Sequence, residues 1–512
     1  MKFKFNQTLV LTILIFVAGI FLRFWALPQR FVFGGDESYL IWEVWNLANG
    51  HLGLVGFEAG GVGGIKLLPY LVYFLAGPFL IFSGHPIFIE VVLSAFAAVR
   101  GVLFYLIGKT VFSERIGLLA ALIYLISERV NIIDRKFFGA TFLVLSSLLV
   151  FYFLAKILKE KQVKVLDLAI LGSIIGLSFS GHYQAIFLVI GSLFFLWFIK
   201  KEPSIKNFGI LAAAIFIWFV PLILFELRHN FQITKRFLAL PAQAAQGTLF
   251  SGFTASAQYL EQQFLGIIFS PLYKIPLFDI FPIPIFWLGF LVIFGLLFFL
   301  LKIKNYSKFT PILTYFVFMI ALAFVTLSFF QRPHYDIDPY YWFLIPIFVF
   351  ILAILLDYLL IKPKTAILSL IFLGALTIYN LTNFFTQTIP DTYQTKNQVV
   401  TAILDDVKTK NLEKAVVRFD ASEAGAFDYL FYYQAKNHQI DPAKIVLISR
   451  HELFQERQLL GGRKGPVTIL SRNTTVNLRP DYIVALKDSD FKQFLQLSTF
   501  PPYSVYFNKS EI

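Results

Sequence analysis

Two adjacent acids, Asp36 and Glu37, follow a pair of glycines nine residues past the end of a long apolar run at 8–27. A carboxylate so placed can take the proton of a hydroxyl as its oxygen attacks, help that a neutral hydroxyl needs near pH 7. Further polar residues gather at the ends of later apolar runs: Lys66, then Asp134-Arg135, then His182 with Gln184. Beyond these come Glu226, Arg228 and His229, and then Arg332, His334 and Tyr335. Guanidinium and ammonium groups suit a leaving phosphate, whose negative charge grows as a bond to it breaks. Base and cations together fit group transfer from a phosphate-bearing donor. With apolar runs on every side, that donor would be a polyprenyl-phosphate sugar, and the reaction glycosyl transfer to an acceptor hydroxyl. In this scheme Asp36 is the base and Glu37 orients it. Arg228, Arg332 and either Lys66 or Arg135 would hold the phosphate, while His182 and Gln184 would line the sugar pocket.

The elements that must carry these residues are apolar helices. The chain has 512 residues, 57% hydrophobic and 18% aromatic, with 62 phenylalanines. Apolar runs recur near 8–27, 67–83, 87–112, 116–128, 137–157, 166–181, 184–199, 208–226, 281–301, 309–330, 341–361 and 365–384. Runs of about 20 apolar residues are the length that crosses a bilayer, so residues 1–387 read as a polytopic α-helical membrane domain. Lys2 and Lys4 precede the first run without a small-residue cleavage signature after it, the pattern of a retained anchor. Short cytoplasmic loops keep Lys and Arg. The basic clusters at 2–4, 109–115, 156–164, 200–206, 302–308 and 362–364 all lie inside only if one of the runs 67–83 and 87–112 fails to cross. The run at 67–83 carries Pro69 and Pro78 and follows Gly60–Gly64, which suits a re-entrant or surface segment. About eleven spans result, plus interfacial helices, with the N-terminus cytoplasmic and the C-terminus outside. Trp42 and Trp45, in the stretch after Glu37, suit a helix lying in the membrane interface, and Trp25 and Trp342 suit the aromatic belt.

Composition changes near residue 388. The last 125 residues hold 30 of the 75 charged side chains, about twice the density before them. Short β-rich runs at 415–419, 444–449, 466–470, 482–486 and 504–507 alternate with helical patterns near 397–409 and 425–437. Residues 388–512 therefore read as a small extracytoplasmic α/β domain.

The order of features resembles the GT-C glycosyltransferases of the protein O-mannosyltransferase and aminoarabinose-transferase type, family 39-like. The resemblance is carried by Gly35-Asp36-Glu37, Asp134-Arg135-Lys136, Gly181-His182-Tyr183-Gln184, Phe225-Glu226-Leu227-Arg228-His229-Asn230 and Tyr340-Tyr341, and spans roughly residues 8–384. It implies a GT-C fold in the plasma membrane and a sugar taken from a polyprenyl-phosphate donor with inversion. The acceptor would be a glycan, lipid or protein hydroxyl at the outer face, with Asp36 as base. Where the family often has Lys-Pro-Pro, this chain has Lys66-Leu67-Leu68-Pro69.

Other readings stand beside these. Asp36 and Glu37 fit the first turn of a helix, where acids meet the dipole. Asp134 and Arg135 fit a local ion pair, His182 and Gln184 an interfacial turn, and Glu226, Arg228 and His229 a solvated helix end. Arg332, His334 and Tyr335 fit interface anchors. As a whole, the chain has a rival reading as a transporter or flippase of lipid-linked sugars. That reading predicts paired halves and ionisable residues at mid-membrane. With no cysteine, thiol nucleophiles, disulfides and Cys-ligated metals are excluded. The histidines and acids show no H-E-x-x-H spacing, so neither metal nor cofactor is expected. The net charge of +13 lies mostly in loops between apolar runs, so no nucleic-acid partner is expected.

Overall fold

The computed structural model describes residues 7–58, 65–136, 139–200, 204–244, 249–269, 293, 295–296, 298–302, 308–329, 338–389, 391–419, 424–449, 466–471, 481–486 and 494–507. These fall into two compact units. The first comprises 1–23, 94–134 and 138–387, the second 24–93, 135–137 and 388–512.

Helices occupy nearly every apolar run. They are α1 (Gln7–Phe24), α2 (Leu27–Arg30), α3 (Gly35–Ala48), α4 (Tyr70–Ile81), α5 (Phe88–Val111), α6 (Glu114–Ile126), α7 (Glu128–Asp134), α8 (Gly139–Lys159) and α9 (Val165–Ser178). There follow α10 (Ala185–Phe194), α11 (Ile205–Phe216), α12 (Val220–Arg228), α13 (Gln232–Ala244), α14 (Leu249–Phe269), α15 (Thr310–Phe329), α16 (Ile345–Ile361) and α17 (Pro363–Thr386). Among the described residues, seven helices are long and apolar enough to cross a bilayer, or eight if α6 and α7 form one bent span. Three shorter apolar helices, at 70–81, 165–178 and 185–199, fall below that length, and the run at 281–301 lies largely outside the described residues. With its 12 residues α4 reaches only about 18 Å, well short of a ~30 Å hydrocarbon core.

The first unit is held together as membrane helices are. Small residues let backbones meet: a side chain on Gly19 would come within 3.0 Å of the Ala98 backbone, and one on Gly117 within 2.4 Å of the Tyr105 carbonyl. Phenylalanines fill the space between helices, with Phe350 of α16 lying 5.2–5.5 Å from the rings of Phe104, Phe112 and Phe151. Large apolar side chains point outward instead of inward on α17, where Leu368 and Ile371 are mostly exposed, a surface that only lipid would stabilise. The 70° bend between α6 and α7 leaves backbone groups that side chains take up. Asn380 Oδ1 accepts the Glu128 N–H at 3.2 Å, and Asn131 donates to the carbonyls of Leu125 and Ser127.

The second unit contains a six-stranded mixed sheet: β1 (Ala415–Phe419), β2 (Ile445–Ser449), β3 (Thr468–Ser471), β4 (Tyr482–Leu486), β5 (Leu495–Phe500) and β6 (Tyr503–Phe507), in the order β3-β2-β1-β4-β6-β5. The first four strands pair in parallel, β4, β6 and β5 antiparallel. Parallel neighbours require a crossover, and α19 (Asp428–Asn437) supplies the one between β1 and β2; α18 (Tyr393–Thr409) precedes β1. In the same unit, α3 packs against both α4 and α19. Trp42 of α3 is 2% exposed, with its ring 4.9 Å from Tyr429 and 5.0 Å from Tyr432. This departs from the interfacial helix expected from sequence, because the tryptophan face is covered by α19. Trp342, also 2% exposed, likewise turns inward instead of joining a belt.

Candidate active site

In the second unit, α3 begins at the acid pair. Gly34 is its N-cap, in an extended conformation, and Glu37 reaches back so that the Gly34 N–H donates to Glu37 Oε2 at 2.8 Å. A carboxylate three residues into a helix satisfies one of the four free N–H groups there. Glu37 is thereby buried, and burial, followed by the charge of Asp36, raises its carboxyl to about 7. Asp36 is exposed. The two acids thus have divided tasks: one closes the helix end, the other faces outward.

One turn further along α3, Tyr39 meets Lys66. Short backbone pairings hold the lysine in place, the Gly56 N–H donating to Leu67 O and the Leu67 N–H to Phe57 O. The Lys66 ammonium donates to the Tyr39 hydroxyl and lies 3.6 Å from Glu58 Oε1 and 3.8 Å from Glu43 Oε1. Burial raises the Glu43 carboxyl, the Lys66 charge opposing. Lys66 is therefore a buried cation packed against the helix that carries the acid pair, balanced by two carboxylates. Arg135, also in this unit, is buried and donates to the Trp25 carbonyl at 3.1 Å.

The first unit holds the other candidates. Asp134 does not pair with its neighbour Arg135. Its Oδ2 accepts from Arg23 at 2.9 Å and from the Tyr124 hydroxyl at 2.7 Å, and its Oδ1 lies 2.9 Å from Arg100. All four residues are essentially inaccessible. Both carboxylate oxygens are occupied, so Asp134 locks α1, α5 and α7 together and offers a substrate nothing. Arg23 and Arg100 escaped notice in the sequence although each interrupts an apolar run, which is itself a signal that a buried partner exists.

The turn between α9 and α10 carries His182 and Gln184. The Gln184 N–H donates to His182 Nδ1 at 3.2 Å, and the imidazole lies 5.4 Å from the Tyr340 ring. Burial lowers His182 to about 4, so it is neutral at physiological pH. Gln184 is buried, and neither end of its amide has a partner among the described residues; the same holds for the Ser180 hydroxyl. Such unmet polar capacity is what a hydroxyl-rich ligand can satisfy.

Glu226 is committed elsewhere. Its carboxylate accepts the N–H groups of Ile233 and Thr234 at 2.9 and 2.8 Å, capping the start of α13. Arg228 is exposed at the end of α12, and exposed His229 stacks on Phe225 with ring centroids 4.0 Å apart. Arg332, His334 and Tyr335 lie outside the described residues. No cluster of three or more His, Asp or Glu side chains able to hold a metal ion occurs among the described residues.

Comparison with known proteins identifies the fold. Residues 68–225 match the family model of dolichyl-phosphate-mannose-protein mannosyltransferases. The structure is similar to that of ArnT from Cupriavidus metallidurans bound to undecaprenyl phosphate, with a TM-score of 0.64 and 11% identity over 98% of each chain. Against the apo form of that protein the TM-score is 0.59, again at 11% identity, over 97% of each chain. No curated protein matches the sequence. The chain is a multi-pass membrane protein with the GT-C fold, as the sequence resemblance implied.

Proposed function

We propose that this chain is a membrane glycosyltransferase that moves a sugar from a polyprenyl-phosphate donor to an acceptor hydroxyl at the outer face of the plasma membrane. In this reading the N-terminus is cytoplasmic and residues 388–512 are extracytoplasmic. The observation that carries it is the exposed carboxylate of Asp36 beside a Glu37 wholly engaged with its own helix end. The mannosyltransferase family match and the fold shared with an undecaprenyl-phosphate-bound protein support the same donor class and favour a transferase over a transporter.

As the acceptor oxygen bonds to the anomeric carbon, its proton passes to Asp36. The carbon–oxygen bond to the lipid phosphate breaks at the same centre, and the phosphate leaves with the electron pair. Glu37 fixes the helix turn that aims Asp36. Exposed Arg228 is the readiest ligand for the departing phosphate, with Arg332 as a second. Lys66 is a phosphate ligand only if phosphate displaces one of its two carboxylate partners, and Arg135 supports the loop through Trp25. Neutral His182 and the unpaired amide of Gln184 fit uncharged sugar hydroxyls. The reading invokes neither metal nor cofactor. It is tested by transfer from radiolabelled polyprenyl-phosphate sugars in membranes, wild type against Asp36→Asn. Undiminished transfer by the variant rejects Asp36 as base.

A further inference from the structure

We propose that Lys396, in the carboxy-terminal α/β region, is a positioning residue for the Asp36–Glu37 pair: it locks the backbone that leads into their helix. The proposal rests on the reading of Asp36 as the base, and it gives the α/β region a part in the chemistry. Residues 31–33 run directly into Gly34, the N-cap of α3, and the start of α18 grips each of them in turn. The Tyr393 N–H donates to the Phe31 carbonyl at 2.7 Å, Val32 forms an antiparallel bridge with Thr392, and the Lys396 ammonium donates to the Phe33 carbonyl. The Tyr393 ring packs on both Phe31 and Phe33. On the far side of the acid pair, Ser38 donates to Asp428 at the start of α19. Asp36 and Glu37 are thus bracketed on both sides by groups more than 350 positions away in sequence.

Lysine is an expensive choice for this grip. Lys396 is 2% exposed, and a buried cation must be compensated. Asp391 supplies one contact, at 2.8 Å from the ammonium. A neutral donor would serve the Phe33 carbonyl at less cost. The positive charge has a further use, because Lys396 interacts electrostatically with Glu37 and opposes the effect of its burial. One side chain therefore fixes the entry to the helix and moderates repulsion within the acid pair. The sequence holds no local sign of this, since an isolated lysine in a polar tail reads as a solvated charge.

The test uses the full chain in membranes, with the donor titrated to separate kcat from KM. Lys396→Met is expected to lower kcat about 10- to 100-fold with KM for the donor within threefold of wild type, and Lys396→Arg to restore most of the loss. Lys410→Met, a change to the lysine that caps the end of α18, is expected to transfer at the wild-type rate. Lys396→Met with unchanged kcat overturns the proposal, as does a Lys410→Met variant that loses as much. If Lys396→Met does not fold, Lys396→Arg is compared with Lys396→Gln. Arginine is then expected to exceed glutamine about tenfold in kcat, and equality overturns the proposal. Asp36→Asn is assayed in parallel. Full activity there removes the base reading whatever Lys396 does, whereas an inactive Asp36→Asn beside a normal Lys396→Met removes only the positioning role.

Discussion

Asp134 and Asp36 are both aspartates beside an apolar helix, yet they spend their charge in opposite ways. Asp134 is enclosed by two arginines and a tyrosine, with both oxygens occupied and no access to solvent. Asp36 stands exposed in the first turn of its helix, and the capping task falls to its neighbour. A carboxylate buried between cations is an anchor, and an exposed one can be reached by a proton donor. An acid's type and its closeness to a membrane do not separate the two; burial among cations does.

The sharpest break of that comparison is to neutralise each acid in turn. Asp36→Asn is expected to lower transfer by about 10²–10⁴-fold with the fold retained, as removal of a general base does. Rate and detergent-solubilised folded yield, measured on one preparation, check both halves of that expectation. Asp134→Ala should do the reverse. Two buried arginines would lose their counter-charge, for a loss of about 3–5 kcal/mol of stability. The reading is a collapse of monodisperse protein in size-exclusion chromatography, and a variant as stable as wild type contradicts the anchor role.

Glu37 sharpens the comparison through pH. Its folded carboxyl sits near 7 and its unfolded one near 4.5. Between these values the folded protein holds a proton that the unfolded chain has released, so stability falls as pH rises. The accumulated effect above pH 7 is about 3 kcal/mol, and below pH 4.5 it vanishes. Glu37→Gln should flatten that slope in thermal unfolding between pH 5 and 8; an unchanged slope assigns the titration to another group. The smallest expected effect is at Glu226, a carboxylate committed to capping α13. Glu226→Gln should cost about 1 kcal/mol and leave donor KM unchanged. A KM raised tenfold would make Glu226 a substrate ligand.

Much of the architecture is legible in the sequence. Helices cover nearly every apolar run, because a lipid-facing segment has to satisfy its own backbone and declares itself by continuous apolar length. In the tail, Ala415–Phe419 and Tyr482–Leu486 are strands as expected, and the helical patterns became α18 and α19. Strand β5 was missed: Leu495–Phe500 reads LQLSTF, with polar residues on the edge of the sheet and little apolar signal. The buried break between α6 and α7 was also hidden, since Asn380, which satisfies it, lies some 250 positions away.

What the sequence by itself determined is whatever repeats locally: spans from apolar length, strands from alternation, and the acid pair from its place after the first span. Only the tertiary structure decided which charges are buried in pairs and which are exposed. Asp134, Glu226 and Glu37 look as available on paper as Asp36, and Lys396 looks idle. Their fates depend on donors supplied from distant parts of the chain, and a pairing energy that falls off within a few ångströms leaves no periodic trace in the order of residues.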